Sequence, residues 1–88
     1  MHMKTFSHTK KFKKNLKKLD VKIIKAFKSR FVIFQKNEYA PILNNHPLQA
    51  EYADCKSINI TGNYRMVYKR IDSLYILIDI GTHSELYE

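Results

Sequence analysis

The spacing of apolar positions changes once along the chain, near Pro41. Before it the period is helical. Phe12, Leu16 and Leu19 recur at intervals of four and three, and Lys10, Lys11, Lys13, Lys14, Lys17 and Lys18 fill most positions between them. That pattern predicts an amphipathic helix with a narrow apolar stripe. Ser7 and Thr9 offer capping side chains for a start near Lys10. Asp20 is placed to cap a second helix, in which Ile23, Ile24, Phe27, Phe31 and Phe34 repeat with the same period. No Gly or Pro interrupts it before Pro41, so it is expected to run to about Lys36. Two consecutive amphipathic helices in so short a chain read as a helical hairpin laid on a flat partner. Ahead of them, Lys4–Phe6 is expected to form a short edge strand.

Beyond Pro41 the period is two. Asn44, Asn45 and Pro47 mark a loop. Lys56–Ile60 alternates, with Ile58 and Ile60 on one face and Ser57 and Asn59 on the other. Thr61-Gly62-Asn63 supplies a turn, and Tyr64–Ile71 alternates again. After a second turn at Asp72-Ser73, Leu74–Ile80 is apolar on both faces apart from Tyr75 and Asp79, as a central strand would be. Gly81 is expected to end that strand and Thr82–Glu88 to form a short tail. The predicted fold is α+β, in the order β-α-α-β-β-β: an antiparallel sheet with the two-helix hairpin on one face, a single domain over residues 1–88. His2 and Met3 are given no role.

Composition narrows the function classes. In 88 residues, 44% hydrophobic and 27% charged positions argue against wholesale disorder. The longest apolar run, Leu74–Ile78, falls far short of the roughly 20 residues a membrane helix needs. Met1–Lys18 is polar and lysine-rich, unlike a signal peptide. A single cysteine, Cys55, excludes an internal disulfide and suits a reducing cytoplasm. The net charge of +8 is unevenly spread. Residues 1–39 carry twelve Lys and Arg against Asp20 and Glu38, a net +10, whereas residues 40–88 carry four against six acids, a net −2. A basic half on so small a protein attracts a polyanion or an acidic partner; the plainer reading is a solvated lysine face.

Four histidines, His2, His8, His46 and His83, are present, and none shows the paired spacing of a metal site with another or with Cys55. His46 precedes Pro47 in a loop, and His83 follows Gly81 at the exit of the central strand. Neither belongs to an apolar face. Imidazole transfers protons in both directions near neutrality. Two of them on a basic protein suit cleavage of an RNA phosphodiester, with the substrate's own 2′-hydroxyl as nucleophile and neither metal nor covalent enzyme intermediate. Arg65 has the chemistry to stabilise the phosphorane, although an exposed strand arginine pairing across the sheet would look the same. Tyr64, Tyr68, Tyr75 and Tyr87 are candidates to stack on bases; strand tyrosines are more often packing residues, and Tyr87 alone looks free. Pattern alone thus yields a basic α+β domain directed at RNA.

The segments "KKFKKNLKKL", "NNHPLQAEY", "KSINITGNYRMVYKR" and "DIGTHSELY" occur in that order. Together they resemble the RelE/ParE toxin superfamily, most closely its YafQ-like RelE branch, from about Lys4 to Tyr87. The resemblance implies a toxin of a type II toxin–antitoxin system: a ribosome-dependent endoribonuclease that cuts messenger RNA in the decoding site of the 70S ribosome. It also implies neutralisation by a co-expressed antitoxin in a toxin–antitoxin hetero-oligomer. The family's loop histidine falls on His46, its C-terminal catalytic histidine on His83, its terminal aromatic on Tyr87 and its phosphate-stabilising strand arginine on Arg65. His83 would then protonate the 5′-oxygen leaving group, Arg65 would stabilise the phosphorane, His46 would orient or deprotonate the 2′-hydroxyl, and Tyr87 would position a base. Lys10, Lys11, Lys13, Lys14, Lys17 and Lys18 would grip 16S ribosomal RNA, Lys56 would add positive field, and Asn59, Asn63 and Tyr64 would contact RNA. No cofactor is implied. The chain departs from the YafQ pattern where Asn59 replaces a histidine, Asn63-Tyr64 replaces Asp-Trp, and Asp79 replaces an arginine. Two other readings follow: a ParE-like gyrase poison, against which the paired histidines argue, and a non-catalytic binding module in which Asn59, Asn63 and Asp79 mark lost activity.

Overall fold

Thr9 starts the first helix: its hydroxyl oxygen accepts the backbone N–H of Phe12 at 2.9 Å and donates to the Ile78 carbonyl at 2.7 Å. One side chain therefore caps a helix and ties it to the sheet. The computed structural model describes residues 3–87; His2 lies outside them. It contains strand β1 (Thr5–His8), helices α1 (Lys10–Lys17) and α2 (Val21–Lys36), strands β2 (His46–Pro47), β3 (Lys56–Asn59), β4 (Tyr64–Ile71) and β5 (Leu74–Thr82), and helix α3 (His83–Tyr87). Asp20 stands at the N-cap of α2 but makes no side-chain capping bond. Among the described residues no helix is long and apolar enough to cross a membrane.

The strands form one sheet in the order β1-β5-β4-β3-β2. The pairs β2–β3, β3–β4 and β4–β5 are antiparallel. The expected all-antiparallel sheet is corrected at one edge: β1 runs parallel to β5, Thr5 opposite Leu74 and His8 opposite Leu77. No local turn fixes that pairing. The two helices separate β1 from the strands that follow, so its direction depends on the tertiary crossover.

Both helices send aromatic side chains onto one face. Phe12, Phe27 and Phe34 pack with Ile58, Ile60, Met66, Tyr68, Tyr75, Leu77 and Ile80 in a single core. Phe6 of β1 stacks on Tyr75 at 5.1 Å between ring centroids, and Phe34 meets Tyr68 edge-on at 4.7 Å. Fully burying a side chain such as Phe34 contributes about 1.5–3 kcal/mol. Tyr68 and Tyr75 are therefore core residues, not base-stacking ones. The same core holds Glu38 against the sheet. Its carboxylate accepts the Tyr68 hydroxyl at 2.5 Å and the Tyr75 hydroxyl at 3.1 Å, and it pairs with Arg70.

A bulge sets the other face. Val67 pairs with Asp79 but its neighbour Tyr68 pairs with Leu77, so Ile78 is an extra residue in β5. Asp79 is thereby placed opposite Val67 while Leu77 stays in the helix-covered core. Val67 and Leu86 are buried but lie outside that core.

Three further expectations change. His46-Pro47 is a two-residue edge strand rather than loop. Gly81 does not end β5, which continues to Thr82. The expected tail is α3, started by a capping box: Thr82 Oγ1 accepts the Glu85 N–H at 3.2 Å, and Glu85 Oε1 accepts the Thr82 N–H at 2.8 Å. That N–H holds the Glu85 carboxyl below its ordinary value of 4.5. Gly81 makes room for this fold-back, since a Cβ there would lie 3.3 Å from Glu85 Oε1.

Candidate active site

Register and strand alternation place His46, Ser57, Asn59, Arg65 and Val67 on one face of the sheet. His46 lies opposite Ser57, Ser57 opposite Val67, and Asn59 opposite Arg65, which in turn faces Gly81. Helix α3 sits against the same region. Its backbone begins at the β3–β4 turn, where the His83 N–H donates to the Asn63 carbonyl at 3.3 Å.

The side chains then link up. His83 and Tyr87 are one helical turn apart, and their rings meet edge to face at 4.8 Å. The Tyr87 hydroxyl donates to Ser57 Oγ at 3.1 Å. Ser57 is fully buried and directly opposite His46. Tyr87 is thus not free, as its place near the end of the chain suggested. Tyr52, from a one-turn 3-10 helix before β3, packs edge-on to it at 6.2 Å. His46 and His83 are both exposed, flanking the Ser57–Tyr87 contact.

The partner of His46 fixes its neutral tautomer. Nδ1 lies 2.9 Å from the Asn44 carbonyl oxygen, which can only accept. In the neutral ring the proton therefore resides on Nδ1, and Nε2 presents its lone pair outward.

Arg65 is half-buried and committed to the turn. Its Nη1 lies within hydrogen-bond distance of the Thr61, Gly62 and Tyr64 carbonyls, at 3.1 to 3.3 Å. Across the strand pair, Asn59 Oδ1 is buried without a hydrogen-bond partner. Asn63 is exposed, and Tyr64 is half-buried against the helix-covered core.

The lysines separate into groups. Lys10, Lys13, Lys14 and Lys17 line one exposed surface of α1. Lys11 turns away to Asp79, with Nζ 3.3 Å from Oδ2. Asn15, one turn on, donates to Asp79 Oδ1 at 2.7 Å. Asp79 raises the Lys11 pKa above its ordinary value, with a smaller contribution from Tyr52. Lys18 lines the same cleft as Lys11. Lys56 shares the Ile58 face, opposite to Ser57, and donates to the Tyr39 hydroxyl at 2.6 Å. Among the described residues no three His, Cys, Asp or Glu side chains form a metal-binding group.

Residues 4–88 match the family described as bacterial toxin of type II toxin-antitoxin system, YafQ. The chain belongs to that family. The toxin resembles the crystal structure of YafQ from E. coli strain BL21(DE3) with a TM-score of 0.76 and 19% identity, over 98% of this chain and 100% of that one. The E. coli DinJ–YafQ complex matches with a TM-score of 0.73 and 20% identity, over 98% and 100%. A metal-bound toxin from Helicobacter pylori matches at 0.72 and 27% identity, over 97% and 100%. A comparison with curated protein sequences finds no match. These likenesses confirm the RelE-like α+β fold of the toxin.

Sequence reading missed three contributors to this region. Ser57 looked like an outward strand residue, yet it anchors Tyr87. Tyr52 lay in a segment with no periodicity. The capping box that orients α3 was legible as Thr82-x-x-Glu85 in the sequence.

Proposed function

We propose that this toxin is an endoribonuclease that cuts messenger RNA on the ribosome, without a metal, through the substrate's 2′-hydroxyl. The observation that carries the reading is the contact series from His83 through Tyr87 to Ser57, with His46 across the strand pair. His83 touches the anchored aromatic ring, and His46 lies opposite its anchor Ser57 in the strand register. His46 Nε2 takes the proton of the 2′-hydroxyl. The 2′-oxygen attacks phosphorus, forming a cyclic 2′,3′-phosphate as the bond to the 5′-oxygen breaks. Protonated His83 gives its proton to that leaving oxygen. Tyr87 positions a base or sugar against the His83 ring, and Arg65 contributes positive charge from the hairpin. Lys10, Lys13, Lys14 and Lys17 hold ribosomal RNA phosphates, so binding weakens steeply with salt.

The toxin acts in the cytoplasm and is silenced by an antitoxin that presents acidic or amphipathic chain to the basic surface. Family membership and the DinJ–YafQ complex of a relative support that partner.

The test is inducible expression combined with primer extension on cellular messages. The wild-type toxin arrests growth and leaves cuts phased with codons. His83→Ala lowers cleavage by roughly 10²–10⁴-fold, the usual contribution of one acid–base group, and relieves arrest. Full toxicity in His83→Ala removes that residue from the mechanism. Purified toxin that binds ribosomes but leaves the message intact overturns the nuclease reading in favour of a non-catalytic binder.

A further inference from the structure

His46 stands exposed on an edge strand of only two residues, so neither packing nor a long ladder of strand hydrogen bonds holds its ring. The residues just before it supply what the strand does not. A one-turn 3-10 helix, Pro41–Leu43, drops Leu43 into the core, where it is fully buried. Asn44 then turns the chain in the left-handed region, at φ 47° and ψ 50°. Asparagine is one of the few residues with a Cβ that enters this region readily. The turn leaves the Asn44 carbonyl facing the ring of His46, 2.9 Å from Nδ1.

Asn45 is fastened by both hydrogens of its amide. Nδ2 donates to the Glu38 carbonyl at 3.0 Å and to the Tyr68 hydroxyl at 2.6 Å. The Tyr68 hydroxyl donates in turn to the Glu38 carboxylate, which Tyr75 and Arg70 also engage. Burial pushes the Tyr68 pKa far above its ordinary value, so the hydroxyl stays protonated and remains a donor. Asn45 is half-buried, whereas its neighbours Asn44 and His46 are exposed. The buried carboxylate cluster therefore ends, through one amide, on the residue between the left-handed turn and the histidine. An unconstrained neutral imidazole in water favours the form with its proton on Nε2, which offers no lone pair there. The Asn44 carbonyl selects the opposite form.

We infer that Asn44 and Asn45 are positioning residues of the proposed nuclease: Asn45, clamped by Glu38 and Tyr68, holds the turn whose carbonyl keeps the His46 proton on Nδ1 and leaves Nε2 free to accept from the 2′-hydroxyl. This rests on the nuclease reading above. It gives the buried Glu38 cluster an outlet at the site, through Tyr68 and Asn45, beyond its part in stability.

The test pairs two measurements. The tautomer of His46 is read from its imidazole nitrogen NMR shifts, recorded above the ordinary histidine pKa of about 6.5. Chemistry is read from single-turnover cleavage of a message on programmed ribosomes at saturating toxin. Asn45→Ala is expected to move much of the His46 proton to Nε2 and to slow cleavage by roughly 10- to 100-fold, as a slightly misplaced reacting group does, with the His83 signals unchanged. Asn44→Val is strained at positive φ; it has the same two effects and leaves the bonds of Asn45 to Glu38 and Tyr68 in place. Asn44→Gly enters that region freely, keeps the carbonyl and recovers most of the rate lost in Asn44→Val. Slowing with the His46 proton still on Nδ1, or with the His83 signals displaced too, marks a purely structural role and overturns the assignment. A wild-type rate in either Asn45→Ala or Asn44→Val overturns it as well. Wild-type toxin that shows the expected tautomer but never cleaves brings down the nuclease reading instead, and the role of these residues in it.

Discussion

In one region of the molecule a buried carboxylate, Glu38, meets two tyrosine hydroxyls and Arg70; in another, Asp79 meets an amide, a backbone N–H and Lys11. Both acids are nearly inaccessible and both have a cation with an exposed side. The difference lies in what surrounds each pair. Arg70 also donates to the Asp72 carbonyl and lies over the Tyr75 ring, 5.1 Å from its centroid. Two of its donors are engaged, and burial raises the pKa of both tyrosines that close the cluster, with Glu38 adding to the shift. That arrangement fixes the segment after α2 to the sheet. Lys11 has a single close acid and a cleft in front of it. The first acid is closed in by two tyrosine hydroxyls; the second is buried beneath an ammonium that stays mostly in solvent.

Substitutions can break this contrast. The largest effect is expected for Glu38→Ala, which leaves two buried hydroxyls and Arg70 without their acceptor. Removing one partner of such a cluster costs about 3 kcal/mol or more, read as a lower urea midpoint at unchanged slope. A loss under about 1 kcal/mol would mean that the cluster is not what holds this segment. Asp79→Asn should cost less, about 1 kcal/mol, because an asparagine oxygen still accepts from Asn15 and Ile80 N–H and the released ammonium stays solvated. Equal losses in the two variants would erase the distinction.

Glu85→Gln sharpens the picture at the smallest scale, a few tenths of a kcal/mol at neutral pH. The folded-state pKa of Glu85 is depressed, so its contribution is present above the unfolded value of 4.5 and is lost as pH falls through the folded one. In an acid titration followed by NMR, His83 and Tyr87 of the wild type should show α3 loosening below that value. In Glu85→Gln the same signals should lack this transition.

Helices α1 and α2, strands β3, β4 and β5 and their turns were legible because each repeats one period over enough residues to be read. Helix α3 spans five residues, too few for periodicity, and its capping box Thr82-x-x-Glu85 was passed over in a stretch read as a tail. Glu38 was opaque for a different reason: it sits in a polar stretch, and the tyrosines that bury it are 30 and 37 residues away. His46, His83 and Arg65 were named from residue type and family resemblance. The contact from Tyr87 to Ser57 was hidden, because Ser57 reads as a solvent-facing alternation partner until α3 is laid over it. Lys11 was counted with its neighbours for the same reason. Helical spacing separates it from the outer stripe, but only the bulge at Ile78 places the acid with which it pairs.

The parallel pairing of β1 with β5 has a consequence for how the chain can be handled. β5 is the most apolar strand, and along Leu74–Leu77 one edge is shielded by a four-residue ribbon from near the beginning of the chain. Trimming that ribbon, or displacing it with a bulky leader sequence, would bare a long row of unpaired amides and carbonyls on a strand made for the interior. Material altered at this point should be lost to clumping before any defect in chemistry could be seen.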